Sequence, residues 1–248
     1  MQEITSVNND LVKETVKLQQ KKYRDKENKF LLEGFKCISE AYEAGVDIEY
    51  AFVSDEKRYG FLGEKAIVTN EAVLKKVSTT DSPPDAVAVA LKKTYSVNDL
   101  KNAKKVVLLE NVKDLGNLGT ILRTSTAFGA EALVLYGREC ADIYNPKCVR
   151  SSVGNLWKIP VVYIESFDEL QKYFAGFNCV ATLPHASSYL KDFKAQLPLL
   201  VMFGSEADGL SDAMIGFSTD SVKIEMASSV ESLNLSVSCA VVLYKLFL

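Results

Sequence analysis

The chain reads as a two-part α/β protein: a small domain of alternating elements, then a larger domain built on a parallel sheet. Two observations predict this. Apolar runs of strand length alternate with helical spacings along the 248 residues. In the second part those runs are apolar at almost every position, as in strands covered by helices on both faces.

The first part spans residues 1–93. Val7, Leu11, Val12, Thr15 and Leu18 recur at spacings of three and four, which predicts a helix. The run KLQQKKYRDKENKF (Lys17 to Phe30) holds six basic and two acidic side chains, a solvated helix and loop or a phosphate-binding stripe. In KFLLEGFKCISEAYEAGVD, Ile38, Ala41 and Tyr42 mark a helix that stops at Gly45. IEYAFVS alternates like a strand, AIVTNEAVLKKVS reads as a short strand and a short helix, and AVAVAL (86–91) as a further strand. The polar, lysine-rich residues 94–104 are the expected linker.

The second part, 105–248, carries VVLLE (106–110), ALVLY (132–136), PVVYI (160–164), CVATL (179–183), LLVMF (199–203) and SVKIEM (221–226) as strands, with helical patterns between several of them. The final stretch ESLNLSVSCAVVLYKLFL is a nearly all-apolar helix, to be buried in the core or in a subunit interface.

Composition excludes several classes. No stretch approaches the roughly 18 apolar residues of a membrane span. The opening MQEITSVNND lacks a secretory pattern, so a cytoplasmic protein is expected. The five cysteines, Cys37, Cys140, Cys148, Cys179 and Cys239, form no CxxC pair and fit reduced thiols. With His185 the lone histidine, no metal is expected. The net charge of −3 makes any nucleic-acid contact a local stripe.

In an open parallel sheet, ligands bind beyond the C-terminal strand ends. The segments there are NVKDLGNLG after the first strand of the second part, GSEADGLS after LLVMF and ASSVESLN after SVKIEM. All carry small polar residues, and the first two carry glycines that let a ligand approach the main chain. Gly116 and Gly119 lack the spacing of a dinucleotide fingerprint, and no Walker lysine follows. Arg123 lies in the first turns of the next helix among Ile121, Leu122, Ala127 and Phe128; it is either a solvent-exposed or salt-bridged side chain or a bidentate phosphate clamp. Ser232 and Asn234 open the last helix, as plain caps or facing a ligand. No nucleophile elbow accompanies His185.

Asn117-x-Gly119-x-Ile121-x-Arg123, FGSEADGL with Glu206, and VESLNLSVS with Ser232 and Asn234, in this order, resemble the motifs of the SpoU (TrmH-like) RNA ribose 2′-O-methyltransferases of the SPOUT superfamily. NPKCVRSSVGNLWKIPV (Asn145 to Val161) is similar to the family's intermediate segment, and the N-terminal part to its RNA-binding substrate domain, of ribosomal-protein-like α/β/α fold. The resemblance implies an S-adenosyl-L-methionine-dependent enzyme, a deep trefoil knot in the C-terminal domain and a homodimer. It implies Arg123, Asn117, Glu206, Ser232 and Asn234 as catalytic residues. Leu183, Gly204, Ser205, Glu206, Gly209, Ile224, Met226, Ser232, Leu233 and Leu235 are then the cofactor-binding candidates. Lys17, Lys21, Lys22, Arg24, Lys29 and Arg150 are the substrate-binding candidates, with RNA as partner and ribosomal RNA preferred over transfer RNA.

Family proposals make the motif arginine a base, although a guanidinium normally holds its proton to above about pH 12. The other role is to bind the neighbouring phosphate and steady a developing alkoxide, with Glu206 orienting the arginine. A transfer-RNA enzyme, or a non-catalytic RNA-binding protein on the same fold, is the alternative. Leu115, Ala207, Glu225 and Ser228 depart from the family's usual proline, glycine, proline and glycine, which puts cofactor affinity in question.

Overall fold

A computed structural model describes residues 2–248. In chain order the elements are β1 (Gln2–Ile4), α1 (Asp10–Lys17), α2 (Lys21–Glu27), β2 (Lys29–Glu33), α3 (Phe35–Glu43), β3 (Ile48–Val53), β4 (Ala66–Thr69), α4 (Glu71–Val77) and β5 (Ala86–Leu91). They continue as β6 (Lys105–Glu110), α5 (Leu115–Ala127), β7 (Ala132–Tyr136), α6 (Pro146–Ser152), β8 (Val161–Ile164), α7 (Phe167–Phe174), β9 (Asn178–Thr182), β10 (Ser188–Tyr189), β11 (Leu199–Phe203), α8 (Asp212–Phe217), β12 (Asp220–Lys223) and α9 (Leu235–Phe247). They form two compact units, Met1–Lys93 with Asp142–Trp157, and Thr94–Ala141 with Lys158–Leu248.

The first unit holds a five-stranded mixed sheet, ordered β1-β4-β3-β5-β2. Its core gathers Val12, Leu31, Phe52, Ile67, Val73 and Val89. Two of its strands, β1 and β2, escape the sequence patterns. KFLLE looks like the approach to a helix, but it pairs antiparallel with β5 from Lys29↔Leu91 to Glu33↔Val87. Gly34, at φ 82°, turns the chain from β2 into α3. The segment 142–157, which lies inside the second part of the sequence, folds with this unit. Its helix α6 starts at Asn145, whose side chain accepts from Lys147 N at 2.9 Å, and ends on Val153 in the left-handed region.

The second unit is a seven-stranded sheet ordered β10-β12-β9-β11-β6-β7-β8, with every pairing parallel. Every residue of β11 and all but the first of β6 are buried, as the continuous apolar runs require. The expected linker is part of this unit: a 3₁₀ turn at Val97–Leu100, closed by reciprocal bonds between Ser96 and Asp99, sets Leu100 into the core. The last apolar run is a strand only to Lys223. Helix α9 packs on α5 and meets Phe128 through Tyr244, ring centroids 5.7 Å apart. One face of α9 is buried through Cys239, Val242, Leu243 and Phe247, while Val237, Val241, Tyr244 and Leu248 stay exposed.

Candidate cofactor cavity and active site

The C-terminal ends of β9, β11 and β12 open onto a cavity of about 730 Å³ in the second unit. That lies within the usual range for small-molecule sites, about 300–1,000 Å³. Leu183 follows β9; Gly204, Ser205, Glu206 and Gly209 follow β11; Ile224 and Met226 follow β12; Ser232, Leu233 and Leu235 lead into α9. All ten candidates for cofactor contact therefore line one cavity.

The loop after β11 closes on itself. Ser205 N donates to Gly209 O at 3.2 Å and Gly209 N to Ser205 O at 3.1 Å. Asp208 N donates to Ser205 Oγ at 3.1 Å. Gly204 makes that closure possible: a Cβ there would stand 1.8 Å from the Gly209 carbonyl carbon. Below the loop, buried Glu110 at the end of β6 accepts from Ser211 N at 2.8 Å, which ties the first motif's strand to the start of α8.

The lining has a definite charge. Glu206, Asp208 and Glu231 contribute carboxylates, and the cavity has no lysine or arginine wall. Its apolar side comes from Leu183, Ile224, Met226 and Leu235. A ligand with an apolar body and positive charge suits this site, whereas a polyphosphate nucleotide meets repulsion. Asp208 and Glu231 were not singled out by sequence reasoning, although both stand inside the motif loops.

Three of the catalytic candidates form a hydrogen-bonded chain. Asn117 is held at the start of α5, where its N–H is capped by Asp114 Oδ1 at 2.7 Å. Its side chain donates to Glu206 Oε1 at 2.8 Å and accepts from Asn234 Nδ2 at 3.1 Å. Asn234 is the N-cap of α9, and its Oδ1 accepts from Ser236 N at 2.9 Å. Ser232 sits in the cavity wall two residues before that cap and does not open the helix itself.

Arg123 stands apart from this chain. It is exposed on α5, outside the cavity lining. Glu206 is engaged by Asn117 rather than by Arg123, so the expected orientation of the arginine by Glu206 is replaced by an orientation of Asn117.

The substrate candidates divide. Lys17 and Lys22 are exposed, and Lys22 lies 4.7 Å from the Tyr23 ring centroid. Lys21 pairs loosely with Asp25 at 3.5 Å, and Lys29 with Glu49 at 2.6 Å. The Glu49 carboxylate raises the Lys29 ammonium above its ordinary value. Arg150 pairs with Glu33. Arg24 is a correction: it is 1% exposed, bonded to Asp142 Oδ2 at 2.6 Å and to the carbonyls of Leu18 and Gln19 at 2.9 and 2.8 Å. Its guanidinium braces the first unit from inside and is closed to a phosphate. Sequence alone cannot separate it from its exposed basic neighbours, because its acceptors lie 118 residues away or on the backbone.

A carboxylate-lined cavity at parallel strand ends, bordered by a Glu–Asn–Asn chain, defines a small-molecule-dependent enzyme site. Residues 104–244 match the SpoU rRNA Methylase family, and residues 9–88 match the MRM3-like substrate binding domain. The chain belongs to the SpoU rRNA methylase family. An uncharacterised tRNA/rRNA methyltransferase of Synechocystis is 32% identical over 98% of this chain and 92% of its own. The Bacillus subtilis 23S rRNA (guanosine(2553)-2′-O)-methyltransferase is 31% identical over 99% of both chains. The crystal structure of an AdoMet-bound rRNA methyltransferase from Sinorhizobium meliloti superposes with a TM-score of 0.88 at 26% identity, covering 98% of this chain and 96% of that one.

Proposed function

We propose that this protein methylates the 2′-hydroxyl of a ribose in ribosomal RNA, with S-adenosyl-L-methionine as cofactor. The observation that carries the reading is the cavity beyond β9, β11 and β12, with its three carboxylates, apolar wall and bordering Glu206–Asn117–Asn234 chain. Its residues fit the cofactor. Leu183, Ile224, Met226 and Leu235 would hold the adenine between apolar side chains, and the main chain of 204–210 would bond its edge. Glu206, Asp208 and Glu231 would complement the ligand's amino and sulfonium charges. When bound, the cofactor supplies an electrophilic methyl group.

The protein's own part is orientation. Asn117, bonded to Glu206 on one side and to Asn234 on the other, holds the loop after β11 and the start of α9 in one arrangement, so the reacting groups meet aligned. Arg123 binds the phosphate beside the target ribose and stabilises the alkoxide as the hydroxyl proton passes to solvent water. It is assigned as a donor rather than a base because it is exposed on α5, where burial does not disfavour the charged guanidinium.

The first unit would deliver RNA. Lys17, Lys21, Lys22 and Lys29 form its basic stripe, and Arg150 adds a further cation. Phosphate contacts of this kind make affinity fall with salt. The exposed apolar edge of α9, Val237, Val241, Tyr244 and Leu248, supports a homodimer through that helix. The chain path through β9, β11 and β12 is assigned a trefoil knot, and the protein a cytoplasmic location.

The test is calorimetric titration with S-adenosyl-L-methionine, followed by transfer of labelled methyl to unmethylated ribosomal and transfer RNA in parallel. Binding with transfer to ribosomal RNA is the expected result. RNA binding without cofactor binding would move the protein to the non-catalytic reading.

A further inference from the structure

The first unit contains a second cavity, of about 420 Å³, at the start of α3. Its lining includes Phe35, Lys36, Arg58 and Arg150 beside Glu33 and Asp85. The two arginines are fixed from behind. Arg58 Nη1 is 2.7 Å from Asp85 Oδ2, and its guanidinium carbon is 4.5 Å from the Phe35 ring centroid. Arg150 Nη1 bonds the Glu33 carboxylate and Thr79 Oγ1, the latter at 2.5 Å. Glu33 is itself buried and accepts from Thr79 N at 2.6 Å and Ser78 Oγ at 3.3 Å, so it is a rigid anchor.

An arginine has five N–H donors, and each of these pairs through one nitrogen. Both side chains keep substantial exposure, 52% for Arg58 and 33% for Arg150. Lys36 brings the charge of this lining to one more cation than carboxylate. A guanidinium anchored at one edge and open at the other is pre-oriented for a phosphate. The Phe35 ring lines the same cavity and is half-buried, with Arg58 over it and the Tyr59 and Phe61 rings in T-shaped contact at 5.5 and 6.1 Å. The side it turns to the cavity is where an unstacked base can lie.

We propose that this cavity is a nucleotide subsite of the first unit: Arg58, Arg150 and Lys36 take a phosphodiester, and Phe35 stacks the attached base of single-stranded RNA. The proposal rests on the RNA-substrate reading above. It also gives 142–157 a function, since Arg150 reaches the substrate unit from inside the methylase part of the sequence.

The test uses the full chain with Arg58→Gln and Phe35→Leu, which leave the buried Glu33 anchor intact. A fluorescent single-stranded ribosomal RNA fragment is titrated at several salt concentrations. Thermal midpoint and cofactor affinity report the fold. Each variant is expected to bind RNA about fivefold or more weaker, in line with the loss of one stacked base or one charged contact. Arg58→Gln alone should also flatten the log–log salt slope by about 0.7, the loss of one phosphate contact on a single strand. Variants that bind RNA like the wild type, with slopes unchanged, would overturn the subsite while leaving the methyltransferase reading in place. A wild-type protein that binds RNA through Arg58 and Phe35 but transfers no methyl would uphold the subsite and sink the proposed reaction.

Discussion

Asn234 donates to Asn117 across 117 residues of sequence, Nδ2 to Oδ1 at 3.1 Å, and so ties the first turn of α9 to the first turn of α5. The same Asn234 caps α9 through Ser236 N. Its two duties can be separated. Asn234→Ser keeps a cap of similar strength and should change stability by no more than about 0.5 kcal/mol, yet lower methyl transfer, because serine is too short to reach Asn117. Asn234→Ala should cost about 1 kcal/mol as well. Denaturant melts beside initial rates check both.

Arg123 lies outside the cofactor cavity. Arg123→Ala should therefore leave cofactor affinity unchanged and reduce turnover about 100- to 1,000-fold, the usual loss for a donor that stabilises transition-state charge. Calorimetry and single-turnover rates measured on one preparation separate the two effects.

Gly204 has no room for a side chain. Gly204→Ala drives a methyl group into the Gly209 main chain, so the loop after β11 opens. Cofactor binding should weaken by about 10- to 100-fold, the equivalent of about 1.4–2.8 kcal/mol. Equilibrium dialysis with labelled cofactor reads the change.

Removing Arg24 leaves Asp142 nearly buried without its partner. Arg24→Ala should destabilise the first unit by about 3–5 kcal/mol, far more than the loss of an exposed lysine such as Lys22. Chemical denaturation of Arg24→Ala and Lys22→Ala side by side checks the contrast.

Burial pushes the Cys148 thiol from 9.0 up to about 12, and the charge of Asp142 adds to the shift. An unfolded thiol ionises near pH 9 while the native one keeps its proton, so unfolding releases protons at alkaline pH. The stabilising effect is complete below about pH 9 and is lost as pH rises toward 12. Cys148→Ala should show a shallower fall of thermal midpoint between about pH 9 and 10.5 than the wild type.

The parallel sheet was legible because its strands are buried on both faces, and LLVMF and ALVLY coincide with β11 and β7 residue for residue. The strand β2 was not, because a five-residue run before a helix has no period of its own; its pairing with β5, whose sequence neighbours lie far away, decides it. The loops that line the cavity were legible from the strand ends, and their individual residues only through the resemblance of the motifs. The partner of Glu206 was not, since whether a carboxylate meets Asn117 or Arg123 depends on which face of α5 turns toward it. The burial of Arg24 was hidden for the same reason: its environment is assembled from α6's approach at Asp142 and from backbone carbonyls.

The most direct measurement is the chemical position of the transferred methyl. Ribosomal RNA labelled by the wild-type protein is digested with alkali, which cleaves only where a free 2′-hydroxyl can attack the neighbouring phosphate. The account predicts label in an alkali-resistant dinucleotide, and none when Asn117→Ala replaces the wild type. Label recovered in mononucleotides would place the methyl on a base and contradict it.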